Sequence, residues 1–438
     1  MRTSESQVNT DTALAEIAWL SSNNPQQVFH SLMHHFNVDS LRRCFEKLDG
    51  KKALGVDKIS KTIYGEQLTN NLEDLILRMK RMGYRPGPVR EVLIPKEGKS
   101  DATRPLGISN FEDKLVQKRT QEILESIYEP QFLDCSYGFR PGRSCHHAIK
   151  NLMGHLFNEE VEVVLDVDLS NFFNTIDHDV VKEILSKKIK DTKFMRYINR
   201  MFKAGILSAG ELTVNDEGVV QGSCCSPVIA NIVAHHVIDL WITEIVSPLM
   251  RGKVKLFRYC DDLVICCRYK EDAKRIYNVL GKRLNKYGLA LNEEKTKLVN
   301  FSKSKQRSGI KQGSFEFLGF RFYLGRSFKG VTIPKLKTSG KRFRSKLNRV
   351  RVWVSDIKSK KPLGEIWKTF CAKLRGHVQY YGVSFNSKMV GKFIYEARRI
   401  IFKWLNRRGQ RKSFNWSKFE LFVRANPLPG AKVVHKLF

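Results

Sequence analysis

The stretch Lys255–Cys267 reads KLFRYCDDLVICC and sets two adjacent carboxylates, Asp261 and Asp262, between two apolar runs. Two unit charges about 5 Å apart at an effective dielectric of 20 repel by roughly 3 kcal/mol, so the pair needs cations beside it. A second stretch, VVLDVDLSNFF, carries Asp166 and Asp168 at strand period, on one side of an extended chain. If the two stretches are neighbours, Asp168 can share metal ions with the 261–262 pair. Carboxylate oxygens suit Mg²⁺, with Mn²⁺ as a substitute. Two such ions can activate an attacking 3′-hydroxyl and stabilise a departing pyrophosphate. A solvated turn is the usual fate of an Asp-Asp pair, but both stretches here are hydrophobic strands.

Such carboxylates need a rigid frame, and the hydrophobic pattern supplies one. VREVLIPK and VEVVLDVDL alternate or run apolar with β-branched residues, as strands do, and KLFRYCDDLVICC reads strand–turn–strand. Helices fall between and before them. NVDSLRRCFEKL offers Asp39 or Ser40 as a cap and Leu41, Phe45 and Leu48 as a stripe. NNLEDLILRMKRMGY buries Leu72, Leu75, Ile76 and Met79 and stops near Gly83, and QKRTQEILESIYEPQF is a further helix. KEDAKRIYNVLGKRLNKYG carries Ala273, Ile276, Tyr277, Leu280 and Leu284, with Gly288 past its end. After the basic, unpatterned SKSKQRSGIKQGS and the strand-like FEFLGFRFYL, the helical period returns. Phe343, Leu347, Val350, Val354 and Ile357 form one stripe, and LGEIWKTFCAKLRGHVQYYG and MVGKFIYEARRIIFKWLNRR are later helices.

The 438 residues allow two or three domains. Seventy-seven Lys/Arg against 44 Asp/Glu leave +33, and from Arg321 onward 30 stand against 4. That density of one sign, interleaved with aromatic residues, suits a polyanion whose phosphates are neutralised and whose bases are stacked upon. Nine cysteines occur without a CxxC, so neither a disulfide framework nor a zinc module is expected, and Cys224, Cys225, Cys260, Cys266 and Cys267 read as apolar packing. The N-terminus does not read as a signal peptide, and no run approaches the roughly 18 apolar residues of a membrane span. The expectation is a cytoplasmic protein with no membrane partner.

Taken in order, GVDK, LIPKEGKSDATRPLGISNFEDKLVQ, CSYGFRPGRSCHHA, DVDLSNFFNTIDH, GVVQGSCCSPVIANIVAHHVIDLW, FR-YCDD, LNEEKTKLVNF and FEFLGFRF resemble the ordered motifs of reverse transcriptases encoded by bacterial group II introns. LRGHVQYYGVSFN, FKWLNRRGQRKSF and NPLPG are similar to the maturase region, and the pattern is nearest the class-C members, which carry no endonuclease domain. The resemblance implies an α+β right-hand polymerase: fingers and a palm with an antiparallel sheet and packed helices, then an α-helical thumb or maturase domain. The corresponding divisions are a helical N-terminal extension over 1–75, fingers and palm over 76–325, and a basic helical thumb over 326–438.

It also implies roles. Asp168, Asp261 and Asp262 match the catalytic metal ligands, with the Leu169 carbonyl as an extra one and Asp166 a bystander. Phe173 matches the aromatic that excludes a 2′-hydroxyl, Lys96 and Arg104 the cations on the triphosphate, and Gln221 and Gly222 the loop against nucleotide and template. Tyr259 and Lys295 match residues near the primer, and Arg342, Lys346 and Arg349 stand where the thumb would meet template and primer. His178 reads as bracing a helix start. The implied partners are an RNA template, a DNA primer, dNTPs, structured intron RNA and a DNA target. A domesticated relative in DNA repair or phage defence, or an RNA-binding maturase without polymerase activity, are the alternative readings.

Overall fold

The computed structural model describes residues 3–95, 103–208, 211–213, 217–219, 222–409 and 414–438. In chain order its strands are β1 (Val89–Pro95), β2 (Thr103–Ile108), β3 (Val163–Ser170), β4 (Ile206–Ser208), β5 (Glu211–Thr213) and β6 (Val254–Tyr259). They continue with β7 (Asp262–Cys267), β8 (Ala290–Leu291), β9 (Lys297–Asn300), β10 (Ser314–Phe317), β11 (Phe320–Arg326) and β12 (Thr332–Thr338).

The palm sheet runs β6-β7-β3, with β8 and β9 both pairing along the far side of β3. Every one of these pairings is antiparallel. Period two decides its faces. Val163, Leu165, Val167 and Leu169 of β3 join Leu263, Ile265 and Cys267 of β7 in a core shared with the surrounding helices. The opposite face carries Val164, Val264 and Cys266, covered by Phe315, Phe317, Phe320 and Phe322. Asp166, Asp168 and Asp262 stand on that same face, nearer its open end.

The fingers sheet has the order β2-β1-β4-β5, with β1 and β4 parallel. The helix Phe111–Tyr128 follows β2 and is buried along Leu115, Val116, Ile123, Leu124 and Ile127. The helix Leu68–Lys80 buries Leu72, Leu75, Ile76 and Met79, as its stripe requires. The division expected at residue 75 therefore falls inside a helix. An earlier helix, Val38–Lys47, is capped by Asn37 rather than by Asp39 or Ser40. Ser40 is the third helical residue, and it closes a reciprocal capping box with Asn37.

The third sheet, β10-β11-β12, bridges palm and thumb. The division expected after residue 325 separates β11 from its partner β12, and the helical region begins at Gly340. The basic 302–313 stretch also holds a short helix, Lys303–Arg307. Helices Gly340–Ile357, Leu363–Tyr381, Ser387–Leu405 and Trp416–Ala425 then enclose their own core around Val354, Ile366, Phe370, Leu374 and Ile401.

One apolar helix corrects the expectation about membrane spans. Ser226–Leu249 is long and apolar enough to cross a bilayer, and 67% of its most apolar window is buried inside the protein. Its winding loosens over His235–Asp239 and Trp241–Val246, where the backbone bonds reach one residue further than in an α-helix.

Candidate active site

The register of β3 against β7 sets Asp168 directly opposite Asp262. Cross-strand partners stand about 4.5–5.5 Å apart at Cα, so the two carboxylates share one end of the sheet face. Asp261 occupies the two-residue turn between β6 and β7, where Cys260 takes the left-handed conformation at φ 59°. Asp166 lies on the same face, one pleat deeper. Burial pushes the Asp262 carboxyl up to about 7; Asp166, Asp261 and Asp168 act in the same direction, against a hydrogen bond from the Leu318 N–H at 3.3 Å. Burial likewise raises Asp166 to about 7, with Asp168 contributing. Asp261 is raised by burial and by Asp168, while Arg258 and Arg104 pull it down. Three acidic side chains thus crowd one face with a fourth in the adjoining turn, the condition a bound cation would relieve.

A buried clamp fixes the turn. Arg258 on β6 and Asp239 on the apolar helix are both fully buried and pair through two bonds, Nε–Oδ1 at 2.7 Å and Nη2–Oδ2 at 2.6 Å. The remaining Arg258 donors go to Asn231 Oδ1, the Cys260 carbonyl and Ser136 Oγ. All five guanidinium donors are therefore used. Burial alone would raise Asp239, but the Arg258 charge and its hydrogen bonds outweigh it and hold the carboxyl low. Asn231 in turn donates to the Gly138 carbonyl at 2.7 Å. A Cβ on Gly138 would stand 2.7 Å from the Cys260 nitrogen, so only glycine lets this loop reach the turn. Sequence reading assigned no role to Arg258, Asp239 or Asn231. The signal was an ionic residue inside each of two apolar runs.

On the fingers side, Arg104 on β2 is exposed and close enough to act on Asp261. Lys96 and Gln221 lie outside the described residues. Gly222 has φ 115°, and a Cβ there would meet the Gly107 carbonyl at 2.4 Å, so this loop abuts β2 without room for a side chain. Phe173 follows Asn171, itself left-handed at φ 46°, and its carbonyl accepts the Val219 N–H at 2.8 Å. His178 is the first residue of its helix, with Asp177 as the cap; it stacks on Phe202, and its Nε2 meets the Gly218 carbonyl at 2.9 Å. These contacts tie the Phe173 turn to the strand-end loop that leads to Gly222.

On the opposite side Lys295 reaches Asp168 directly, Nζ to Oδ2 at 2.9 Å. Leu169 is buried and pairs with Leu291. Tyr259 ends β6 opposite Asp262 and faces Phe139 at 6.2 Å between ring centroids. Arg342, Lys346 and Arg349 follow one another at helical spacing from the start of Gly340–Ile357. The Arg342 stem lies beside Gly319, next to the Leu318 amide that caps Asp262, and Lys346 sits over the Tyr381 ring. The cysteines are free, and Cys225, Cys260, Cys266 and Cys267 are buried, as apolar packing requires.

Among the described residues no three His, Cys, Asp or Glu side chains already converge on a single point. The donor set nonetheless fits a hard divalent cation: carboxylates set opposite each other and in the adjoining turn, of which Asp262 and Asp261 are raised first by burial and further by their acidic neighbours.

A family model described as reverse transcriptase (RNA-dependent DNA polymerase) matches residues 94–322. Group II intron-encoded protein LtrA of Lactococcus lactis subsp. cremoris is 28% identical over 88% of this chain and 76% of its own length. Protein YkfC of Escherichia coli (strain K12) is 30% identical over 66% of this chain and 82% of its own. Nuclear intron maturase 1, mitochondrial, of Arabidopsis thaliana is 34% identical over 21% of this chain and 13% of its own. Reverse transcriptase domains use divalent metal ions and have RNA and DNA as partners. Matched over more than half its length by that family model, and similar over 88% of it to a group II intron-encoded protein, the chain belongs to the reverse transcriptases of the group II intron-encoded type.

Proposed function

We propose that the chain copies RNA into DNA, extending a DNA primer with dNTPs, and that it also binds structured intron RNA in splicing and in mobility to a DNA target. The observation that carries the polymerase reading is the pairing of Asp168 with Asp262 beside Asp261 in the turn. Asp168, Asp261 and Asp262 would hold two Mg²⁺ ions, or Mn²⁺ in their place, with the Leu169 carbonyl assisting. Bound there, the ions supply charge neutralisation for the triphosphate and a more acidic primer 3′-hydroxyl.

The protein's own residues do the rest. Arg104 presents a planar fork to the phosphates across from Asp261, and Lys96 adds a point charge. Phe173 walls the sugar, where a 2′-hydroxyl would collide with the ring. Gln221 and Gly222 let backbone approach the new base pair. Tyr259 supports the primer end, and Lys295 holds Asp168, where its ammonium would compete with a bound cation. Arg342, Lys346 and Arg349 take the duplex backbone as it leaves. The surroundings are proposed to be cytoplasmic.

Primer extension on an RNA template in Mg²⁺ tests the reading. Asp261→Ala is expected to abolish synthesis while RNA binding stays within a few-fold, because the substitution removes a metal ligand and none of the cations that take phosphates. Full extension by that variant, or none by the parent, would defeat the proposal.

A further inference from the structure

The tip of the β11–β12 hairpin holds an aromatic ring wholly in solvent. Phe328 is fully exposed and Val331 beside it is half-exposed. The tip is nevertheless built: the Ser327 N–H donates to the Val331 carbonyl at 2.7 Å, the Val331 N–H to Ser327 Oγ at 3.1 Å, and Gly330 turns the chain at φ 77°. A ring held outward by an ordered turn costs little entropy when it meets a flat partner.

The surroundings are basic. Residues 301–338 contain nine Lys/Arg and a single acidic residue, Glu316. Glu316 is engaged elsewhere, by Arg321 at 3.1 Å and Ser339 at 2.7 Å. Among the described residues, Arg307, Arg326 and Lys329 make no ion pair with a carboxylate. A cavity of about 580 Å³ lies between the short Lys303–Arg307 helix and the hairpin, lined by Arg307, Leu324, Arg326, Gly330, Val331 and Thr332. An aromatic platform, an adjoining cavity of nucleotide size and three available cations are the parts of a site for an unpaired nucleotide. β11 runs seven residues, six steps, from Phe320, near the Asp262 cap, to Arg326, roughly 20 Å at strand rise. The tip is therefore distinct from the carboxylate cleft.

We propose that the hairpin tip is a second RNA-binding site, in which a looped-out base stacks on Phe328 while Arg307, Arg326 and Lys329 take the flanking phosphates. RNA is the occupant because folded RNA displays unstacked bases in bulges and loops, whereas duplex DNA keeps its bases stacked. The proposal does not depend on polymerisation.

The test fills the cleft first, with an RNA–DNA template–primer ended by a dideoxynucleotide. A 12-nucleotide single-stranded RNA carrying one 2-aminopurine is then titrated onto the full chain. Saturable quenching is expected, with affinity falling roughly 5- to 150-fold in Phe328→Ala, the range that loss of one stacked base implies. Phe328→Trp should retain binding, and Phe328→Ala should keep its melting temperature and extend a short unstructured template within about twofold of the parent. Unchanged RNA affinity in Phe328→Ala would overturn the site. So would equal affinity for a 12-base-pair duplex DNA, Phe328-dependent binding to phosphatidylserine vesicles instead of RNA, or extension falling in step with binding. If the parent extends nothing, the proposed polymerase function fails while the quenching experiment still reads this one.

Discussion

Arg258 and Asp239 are fully buried and bound to each other through two hydrogen bonds, one on the strand that enters the carboxylate turn and the other on a loosened helix behind it. Removing one partner leaves the other charge stranded, which costs about 3–5 kcal/mol in such pairs. Asp239→Ala should therefore show a large drop in the urea midpoint. Arg258→Met combined with Asp239→Leu should recover much of it, since an apolar pair of similar volume needs no compensation. Extension should stay low in the double variant, because the Cys260 carbonyl and Ser136 have lost their donor. Parent-like stability in Asp239→Ala would show that the pair does not support the fold.

The Lys295–Asp168 pair has a different character. Its side chains are 60% and 42% exposed, so its loss should cost under about 1 kcal/mol of stability. The ammonium, however, competes with a cation for Asp168. Lys295→Met is expected to lower the Mg²⁺ concentration that half-saturates primer extension, with little change in melting temperature. A metal titration that leaves the midpoint unmoved or raised would remove Lys295 from this role.

Much of this site was legible from residue order because period two and period 3.6 are local properties. The β3 alternation placed Asp166 and Asp168 on one face, and the apolar runs around Asp261 and Asp262 made a hairpin the natural reading. Three features were not legible, each for a physical reason. Pairing Arg258 with Asp239 depends on where a loosened helical turn aims a carboxylate, which no pattern encodes. β12 buries Thr332, Pro334, Leu336 and Thr338 in alternation, but its lysines and proline dilute the strand signal. The burial of Asp166 is the third, since residue spacing says nothing of how deep a strand position lies; the structure buries it on the face it shares with Asp168 and Asp262.

Gly222 tests the close approach of loop and fingers. At φ 115°, with the Gly107 carbonyl 2.4 Å from where a Cβ would stand, Gly222→Ala must move the loop or β2. Strain of this kind is worth on the order of 1–3 kcal/mol. If it is relieved by displacement at the nucleotide, single-nucleotide incorporation should slow by about tenfold or more. Steady-state incorporation with each dNTP would check this, and parent-like rates in Gly222→Ala would mean that the loop does not approach the substrate.

His377 gives stability an acid limb. Its ring is stacked on Phe393 at 3.6 Å with an 8° interplanar angle, and neither nitrogen has a hydrogen-bond partner. Burial, helped by the Lys346 charge, lowers its pKa to about 3. The unfolded chain, with an ordinary value near 6.5, binds the proton first as pH falls. Stability from this site is thus complete above about pH 6.5 and is lost on acidification toward pH 3, amounting to roughly 2 kcal/mol between pH 7 and pH 5. Asp113, raised by burial to about 6, titrates in the opposite sense, but it is common to parent and variant. His377→Phe keeps an aromatic ring against Phe393 and removes the proton site. Urea midpoints at pH 7 and pH 5 should therefore converge in the variant relative to the parent, and an identical pH dependence in both would show that His377 does not carry the effect.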